Sequence, residues 1–471
     1  MTDPPFKRIM IKRSVPVLFA FLTLSCSSLP LAGTEGSDAL KPQNVVFFIA
    51  DGCGPASFSL ARDYQRVSGN GDTLFLDAFE RGSVMTYSGN HRITDSAASA
   101  TAYSCAIKTY NGAIGVDMDR QPVETILEAA EKAGYNTGLI STARITHATP
   151  AAFSSHVVDR SMEAQIADQQ LEKGIELIMG GGTMYYLPKE AGGGRTDGKN
   201  LLDAAVSAGY TSVSNRNEML AADTLPLIGL FTAGHMAYEI DRDTAEEPSI
   251  AEMTTKALEL LDNAEKPFFI MIEAGRIDHA GHENDTAAHL HDILAYDEAM
   301  RAAVKFARLD EGTLVVGTSD HETGGLTLGA ETNGKKGSGY AYDPLTLNAI
   351  DWSVNRFSKE LRASMARNDE VLPWMFKSIE EHYGLSSEAF QNEVRKIVQY
   401  RSVVGESAAL VHLNHLLRDS TAAAARVGWS TGGHTAINVP MYAFGPGSEA
   451  FTGVMDNTEV GLALQRALGL N

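Results

Sequence analysis

The sequence predicts an α/β fold, a three-layer α/β/α sandwich with a large, mostly parallel central sheet and a helical insertion before the last strand. Three observations support this prediction. The 471 residues exceed one ordinary domain and suit either one large α/β domain or two domains. Short apolar runs alternate with amphipathic segments, an order typical of β-α-β units. The runs are apolar nearly throughout, as expected of parallel strands covered by helices on both faces.

Six apolar runs are the predicted strands of this sheet. They are "NVVFFIA" (44–50), "NTGLIST" (136–142), "IELIMG" (175–180), "PFFIMIEA" (267–274), "TLVVGTS" (313–319) and "PMYAFG" (440–445). Amphipathic helices are predicted between them, for example over 122–134 and 249–265. The strands therefore follow one another with helices between them, as a parallel sheet requires.

A long interval, 322–433, precedes the last of these strands. It contains "LGAETNGKKGSGYAYDP" (328–344), which is typical of a flexible loop. Helical segments are then predicted around 353–368, 371–383, 386–400 and 406–418. We expect a helical insertion at about 340–425 that stands over or beside a functional site, contributes to a dimer surface or covers the sheet.

Residues 1–32 are typical of an export signal peptide, and 33–43 are expected to be a linker. Four basic residues precede the apolar run "VPVLFAFLTL" (15–24), and small residues suited to cleavage follow it, up to Ala32. Ten apolar residues are too few to span a bilayer. The protein is therefore expected to be exported, either to the periplasm or as a secreted protein.

Cys26 offers a second interpretation of this leader. A cysteine directly after the apolar run can accept lipid, which would make the protein a membrane-anchored lipoprotein, although Thr23 stands where a lipobox prefers leucine. Met10 is an alternative start, because "MIKRS" makes a more usual basic leader. After cleavage only Cys53 and Cys105 would remain, too few for a disulfide framework.

The composition excludes some partners. The formal net charge of −20 argues against a nucleic-acid-binding surface, which needs a basic face. It would also repel an anionic substrate, so a site for anions would need local cations.

Carboxylates and imidazoles follow three of the predicted strands. They are Asp51, then Glu273, Asp278, His279 and His282, and then Asp320 and His321, while His434 lies in a glycine-rich turn before the final predicted strand. Ligands of open α/β sheets collect at the carboxyl ends of the strands, so these groups should meet at one edge. Several negative charges there would repel one another without cations. Divalent metals are the natural solution, with imidazole and carboxylate suiting zinc and oxygen ligands suiting magnesium.

The segment "ITDSAASATAYSCAIKTYNGAIGV" (93–116) predicts a helix that begins beside Ser96. The Thr-Asp-Ser start is typical of an N-cap, and the alanines favour the helix. The free backbone N–H groups of its first turn attract anions and would surround the Ser96 hydroxyl. An N-capped, tightly packed helix without chemistry is the alternative interpretation of this segment alone.

Seven motifs, in order, resemble the alkaline phosphatase family from about Asn44 to the end. They are "IADGCG", "TDSAASATAYSCAIKTYNGAIGV", "ITHATPAAFSSHVVDR", "MGGGTMYYLP", "IEAGRIDHAGHEND", "TSDHETGG" and "STGGHTA". The resemblance implies hydrolysis of small phosphate monoesters by a catalytic domain over 44–471. It also implies two zinc ions, one magnesium ion, a covalent phosphoserine and a homodimer.

The resemblance also assigns roles to individual residues. The implied ligands are Asp278, His282 and His434 for the first zinc, Asp51, Asp320 and His321 for the second, and Asp51, Glu273 and Thr149 for magnesium. Ser96 would be the nucleophile, and Arg160 would hold two phosphate oxygens with its planar fork.

Two histidines depart from the best-known enterobacterial pattern. His147 replaces an aspartate and His279 replaces a lysine, and both would lie near bound substrate. The first interpretation is that they orient waters and ligands. The second is that His147 binds the third metal directly, which would favour zinc or cobalt over magnesium there. The remaining histidines are expected at surface or packing positions: His156, His235, His289, His291, His412 and His415.

Three other functions are alternatives to this one. Sulfatases carry a Cys/Ser-x-Pro-x-Arg motif, whose proline and arginine "DSAAS" lacks. Phosphodiesterases of the superfamily commonly use threonine, whereas an arginine like Arg160 favours a dianionic monoester. A non-catalytic zinc or phosphate scavenger would need neither Ser96 nor Arg160.

Overall fold

The computed structural model describes residues 42–331, 339–367 and 370–470, without the side chains of 401–404. The predicted signal peptide 1–32, the candidate lipid acceptor Cys26 and the linker up to residue 41 lie outside the described residues. No helix in the described ranges has the length and hydropathy needed to cross a membrane.

The described part of the chain contains sixteen strands and fifteen α-helices. The strands are β1 (Asn44–Ile49), β2 (Glu80–Met85), β3 (Asn136–Arg144), β4 (Leu177–Gly181), β5 (Thr211–Val213), β6 (Leu227–Leu230), β7 (Phe268–Glu273), β8 (Thr313–Thr318), β9 (Glu322–Thr323), β10 (Leu326–Leu328), β11 (Ala330–Glu331), β12 (Tyr340–Ala341), β13 (Val427–Trp429), β14 (His434–Thr435), β15 (Val439–Phe444) and β16 (Gly453–Asp456). The helices are α1 (Pro55–Ser68), α2 (Ser96–Cys105), α3 (Ile126–Lys132), α4 (Ala148–Ser154), α5 (Glu163–Lys173), α6 (Leu201–Ser207), α7 (Arg216–Ala221), α8 (Ile250–Asn263), α9 (Arg276–Glu283), α10 (Thr286–Asp310), α11 (Val354–Ala366), α12 (Val371–Tyr383), α13 (Glu388–Val404), α14 (Glu406–Ala425) and α15 (Asn457–Ala467).

Ten strands form the central sheet, in the order β16, β2, β15, β8, β1, β7, β3, β4, β6 and β5. Each pair of neighbours is parallel except the pairs that β15 makes with β2 and β8. All six residues of β1 are buried, and they alternate between two cores. Val46 and Phe48 pack in one core, while Val45, Phe47 and Ile49 pack in the other. Helices cover both faces, so the predicted three-layer α/β/α sandwich is confirmed.

The six inner strands of the sheet are those predicted from the sequence, and the other four strands were not predicted. The missed strands are β2, β5, β6 and β16. β2 and β16 are partly exposed and carry no apolar run, while β5 and β6 have only three and four residues. The run over 440–445 is therefore followed by one further strand, β16, at the edge of the sheet.

Four helices, α11 to α14, make up the stretch between β12 and β13. Their bounds agree with the helical segments expected from the sequence, and α14 extends further, to Ala425. Two carboxylates tie the start of α11 to the sheet domain, because Asp241 accepts from the backbone N–H of Ser353 (3.0 Å) and Asp285 accepts from that of Val354 (2.8 Å). The position of the four helices is thus fixed at the first turn of α11.

Asp285 is expected to contribute about 2 kcal/mol to the free energy of unfolding. It caps α10 by accepting from Ala288 N (3.2 Å), and an N-cap contributes about 1 kcal/mol. Replacing Asp285 by alanine would also leave the buried Val354 N–H unpaired, at a cost of about 1–3 kcal/mol. Urea unfolding of the metal-free protein measures the loss.

This loss should depend on pH. Burial raises the pKa of Asp285 to about 7. The unfolded value is about 4, so the folded state disfavours the ionised form, and the stability of the wild type falls as pH rises from about 4 to 7. The wild type should therefore exceed Asp285→Ala in unfolding free energy by more at pH 5 than at pH 8. The control Asn200→Ala removes the exposed N-cap of α6 and should show no such trend; a larger Asp285→Ala difference at pH 8 would contradict the prediction.

Candidate functional site

The candidate site lies at the carboxyl ends of three neighbouring parallel strands, β1, β7 and β8. Asp51 follows β1 by two residues, Glu273 ends β7, and Asp320 follows β8 by two residues. The ladder pairs Ile49 with both Glu273 and Thr318, so the three strands end level with one another. The strand register thus brings the three carboxylates to one edge, as the sequence predicted.

Ser96 is the first residue of α2. Asp95 caps this helix by accepting from Ala98 N (3.0 Å), and every residue of the helix is buried. This burial explains the run of small residues, because small side chains let the helix pack closely against its neighbours. The Ser96 Oγ lies 3.1 Å from Nε2 of His321, at the edge that holds the carboxylates.

Asp278, His282 and His434 form the first group of candidate metal ligands. Backbone carbonyls of Gly432 and Thr94 accept from Nδ1 of His282 and His434, both at 2.8 Å. Each Nε2 therefore carries a lone pair, and these two atoms face each other at 3.1 Å. Two lone pairs at this distance repel, so the geometry fits a cation between them.

Asp51, Asp320 and His321 form the second group. The three side chains are fully buried, and neither oxygen of Asp51 has a hydrogen-bond partner among the described residues. Nε2 of His321 lies 3.1 Å from Asp320 Oδ2 and 3.5 Å from Asp51 Oδ1. Burial and then the neighbouring Asp320 hold the pKa of Asp51 well above its ordinary value. Buried carboxylates in this state need either protons or cations.

Thr323 links the first two groups. Its hydroxyl donates to Asp278 Oδ1 (2.6 Å), so its oxygen is left to accept from Nδ1 of His321 (3.2 Å). Nε2 of His321 consequently carries a lone pair, which is the state that binds a metal. Thr323 was not predicted as a site residue, because nothing in "DHETGG" shows where the threonine hydroxyl points.

Asp51, His147 and Glu273 form a third group, whose ligand atoms lie within 4.8 Å of one another. Thr149 Oγ1 and Glu273 Oε1 are buried and have no hydrogen-bond partner in the described part of the chain. The other oxygen of Glu273 accepts from the hydroxyl of Ser141. Burial raises the pKa of Glu273 to about 7. The oxygen-rich set of Asp51, Thr149 and Glu273 suits a hard cation.

Arg160 contacts two of the other residues. Its Nη1 donates to Asp95 Oδ2 (3.1 Å), and its Nη2 donates to Nε2 of His147 (3.0 Å). A guanidinium has no acceptor, so His147 accepts at Nε2 and carries its proton on Nδ1, which has no partner among the described residues. In this tautomer His147 has no second lone pair to offer a metal.

His279 lies in a cluster that sequence reasoning only partly identified. Its ring centre is 5.4 Å from that of His147 and 4.1 Å from that of His235. Arg276 Nη1 lies 3.1 Å from Nδ1 of His279. His235 was expected at a surface or packing position, and it packs against His279 and Arg144. Its place beside the site was not predicted, because it follows β6, a strand too short to recognise from the sequence.

Two other histidines also pack as expected. His289 is fully buried and bonds to Ser57 Oγ (2.8 Å) and the Ile277 carbonyl (3.0 Å). His156 bonds to the Gly115 carbonyl and to Glu128 (2.9 Å). Neither belongs to a candidate metal group in the described part of the chain.

Comparison with known proteins identifies the family. The family model for alkaline phosphatase matches residues 42–470. The chain belongs to the alkaline phosphatase family. The repressible alkaline phosphatase of Saccharomyces cerevisiae is 36% identical, over 99% of this chain and 89% of the yeast protein. The chain is accordingly an enzyme that hydrolyses phosphate monoesters.

Solved alkaline phosphatases share the fold. The cold-active enzyme from Shewanella sp. superposes with a TM-score of 0.78 and 28% identity, over 90% of this chain and 99% of that one. The enzyme from the Antarctic bacterium TAB5 superposes with a TM-score of 0.65 and 27% identity, over 92% of this chain and 99% of that one. Membership of the family implies divalent metal ions, and the three ligand groups are the candidate sites for them.

Removing bound metal should lower the unfolding temperature. Asp51, Asp320 and Glu273 would then lose their compensating charge inside the protein. Metal at about 1,000 times its Kd stabilises by about 4 kcal/mol, which thermal unfolding with and without EDTA detects. A chelator saturated with zinc beforehand is the control and should have no effect. An unchanged unfolding temperature, after mass spectrometry shows the metal to be gone, would contradict the prediction.

Proposed function

We propose that Ser96 is the nucleophile of this phosphomonoesterase, with zinc in the first and second ligand groups and magnesium in the third. The observation that carries the proposal is the position of the Ser96 hydroxyl. It is 3.1 Å from His321, at a helix N-terminus, beside buried carboxylates that lack hydrogen-bond partners. A serine hydroxyl is a weak nucleophile at neutral pH, and it needs no histidine general base where a metal stabilises its alkoxide.

The metals, when bound, would supply Lewis acidity and positive charge beside the serine and the leaving oxygen. Ser96 Oγ would form a bond to phosphorus while the bond to the ester oxygen breaks, giving an alcohol and a phosphoserine. Attack by water on this phosphoserine would release inorganic phosphate and restore the Ser96 hydroxyl. The free N–H groups at the start of α2 would stabilise the phosphoryl oxygens throughout.

Arg160 would hold the substrate by two parallel hydrogen bonds. Its terminal nitrogens now donate to Asp95 and His147, so binding a phosphate requires at least one of these bonds to be exchanged. Asp95 is the better anchor, because it also accepts from Gly112 N (3.0 Å) and is thereby held in place. We therefore propose that Nη2 leaves His147 when phosphate binds.

We propose magnesium for the third group, held by Asp51, Thr149 and Glu273. Asp51 is shared between this group and the second one. His147 would orient ligands there, because Arg160 occupies its acceptor nitrogen until phosphate binds. A His-to-Asp variant of the TAB5 enzyme is described with Mg bound in the M3 site. His147, beside Asp51 and Glu273, is the candidate counterpart of that histidine in this chain.

The remaining expectations stay proposals. Residues 44–471 would form one catalytic domain with the helical insertion at about 340–425. The basic and apolar leader supports export, to the periplasm or the medium or as a lipoprotein anchored at Cys26. Family resemblance supports a homodimer.

Replacing Ser96 by alanine should reduce kcat for p-nitrophenyl phosphate at least about 1,000-fold while bound zinc stays unchanged, because the nucleophile is lost and the metal ligands remain. Steady-state kinetics and metal analysis measure the two quantities. Ser104→Ala, on the same helix, is the control, since that hydroxyl contacts Thr101, Cys105 and Ala152 and none of the candidate metal ligands.

Unchanged turnover in Ser96→Ala would contradict the assignment of the nucleophile. The wild type should also prefer p-nitrophenyl phosphate over bis-p-nitrophenyl phosphate and p-nitrophenyl sulfate. Preference for the diester or the sulfate would leave the metal ligands in place but overturn the role given to Arg160. Zinc binding without turnover of any of the three would favour a scavenger.

Replacing His147 by aspartate should make activity depend more strongly on magnesium. The new carboxylate adds an oxygen ligand beside Asp51 and Glu273, and magnesium prefers such ligands. Titration of zinc-loaded enzyme with magnesium should therefore give a larger increase in kcat for the variant than for the wild type. His156→Asp, remote from the three groups, is the control. A smaller magnesium effect in His147→Asp would show that His147 itself is a ligand of that metal.

A further inference from the structure

Arg276 is a buried cation next to the site that the reaction described above does not use. It is the first residue of α9, the helix that also carries Asp278, His279 and His282. Its backbone N–H donates to Thr142 Oγ1 (3.2 Å), and its side chain donates from Nη1 to Nδ1 of His279 (3.1 Å). The guanidinium therefore contacts the imidazole that is expected near bound phosphate.

The direction of this hydrogen bond fixes the tautomer of His279. A guanidinium carries only donors, so Nδ1 of His279 must accept and its proton must lie on Nε2. We propose that Arg276 is a positioning residue that holds His279 as an Nε2–H donor for the phosphoryl group of the substrate. The inference rests on the proposed function, because it assumes that His279 faces bound phosphate.

The contrast with the two metal-binding imidazoles supports this role. In His282 and His434 a backbone carbonyl accepts from Nδ1, which leaves a lone pair on Nε2 for a metal. In His279, only three residues before His282, the partner of Nδ1 is a donor, which leaves a proton on Nε2. A lone pair suits a cation and an N–H suits an anion, so the partner of Nδ1 distinguishes His282 from His279 on the same helix.

Arg276 is held rigidly enough to impose this orientation. Its guanidinium lies on the ring of Tyr238, with Cζ 3.8 Å from the ring centre. Its Nε has no hydrogen-bond partner among the described residues. A cavity of about 370 Å³ adjoins it, and the carboxylates of Asp241 and Glu247 line this cavity without forming an ion pair with it. The stacked ring and the surrounding negative charge thus stabilise the cation while its Nη1 remains directed at His279.

The imidazole of His279 is confined on a second side by His235, whose ring centre lies 4.1 Å away. Because Nδ1 of His279 accepts from Arg276, the ring is neutral and has a single N–H, on Nε2. A lysine at position 276 would keep the charge but would neither stack on Tyr238 in the same plane nor hold the imidazole with a fixed fork.

A double-mutant cycle tests the inference. The four enzymes are the wild type, Arg276→Met, His279→Ala and the double variant, each loaded with zinc and magnesium. Arg276→Met should lower kcat/KM for p-nitrophenyl phosphate about 10- to 100-fold, as expected when an orienting partner is lost. In the His279→Ala background the same change should cost less than about twofold, because Arg276 then has nothing to position. Arg356→Met changes a cation that lines the same cavity without contacting His279, and it should leave kcat/KM unchanged.

The outcomes separate the two proposals. An equal loss in both backgrounds would show that Arg276 acts independently of His279 and would overturn the inference. A loss in His279→Ala with none in Arg276→Met would overturn it while leaving the substrate role of His279 intact. No loss in His279→Ala would remove that role, and the inference with it, although Ser96 as nucleophile would still stand.

A second measurement avoids the variant at Arg276. Histidine labelled with ¹⁵N in the intact holoenzyme, with resonances assigned by their absence in His279→Ala, reports which ring nitrogen carries the proton. The inference predicts the proton on Nε2 of His279. A proton on Nδ1 would overturn it, whether or not Arg276→Met folds.

Discussion

Buried negative charge at one edge of the sheet is the constraint on which the rest of the site depends. Asp51, Glu273 and Asp320 end three adjacent parallel strands, and the oxygens of Asp51 have no hydrogen-bond partner in the described residues. Such a group is unfavourable unless cations or protons compensate it. His282, His321 and His434 each have a lone pair on Nε2 and a fixed partner at Nδ1, and these three imidazoles suit cations rather than protons. The overall charge of −20 is thereby reversed locally, where an anionic substrate must bind.

The same constraint explains why rigid elements surround the site. The parallel register sets the carboxylates level, while the cap at Asp95 both begins α2 and anchors Arg160. Thr323 connects the first two ligand groups through one hydroxyl. Each of these residues fixes the direction of a lone pair or an N–H. Preorganised groups of this kind cost no reorganisation during the reaction, which is where much of the rate enhancement of enzymes arises.

How much could be predicted from the sequence differs between the centre of the sheet and its edges. β1, β7 and β8 are apolar throughout because both of their faces are buried, so the sequence predicts them and the residues that follow them. β2 and β16 are half exposed and β5 and β6 are too short, so their sequences carry no comparable signal. The position of His235 beside the site was consequently not predicted, since this residue follows β6. The roles of Thr323 and Arg276 depend on side-chain directions, which the spacing of residues along the chain does not specify.

Anomalous X-ray diffraction above and below the zinc absorption edge tests the central claim most directly. Crystals of the enzyme grown with zinc and magnesium should show two zinc peaks, one among Asp278, His282 and His434 and the other among Asp51, Asp320 and His321. The third group should show density without a zinc signal. Absence of zinc from either of the first two groups, with the enzyme active, would contradict the account of how this sheet edge is compensated.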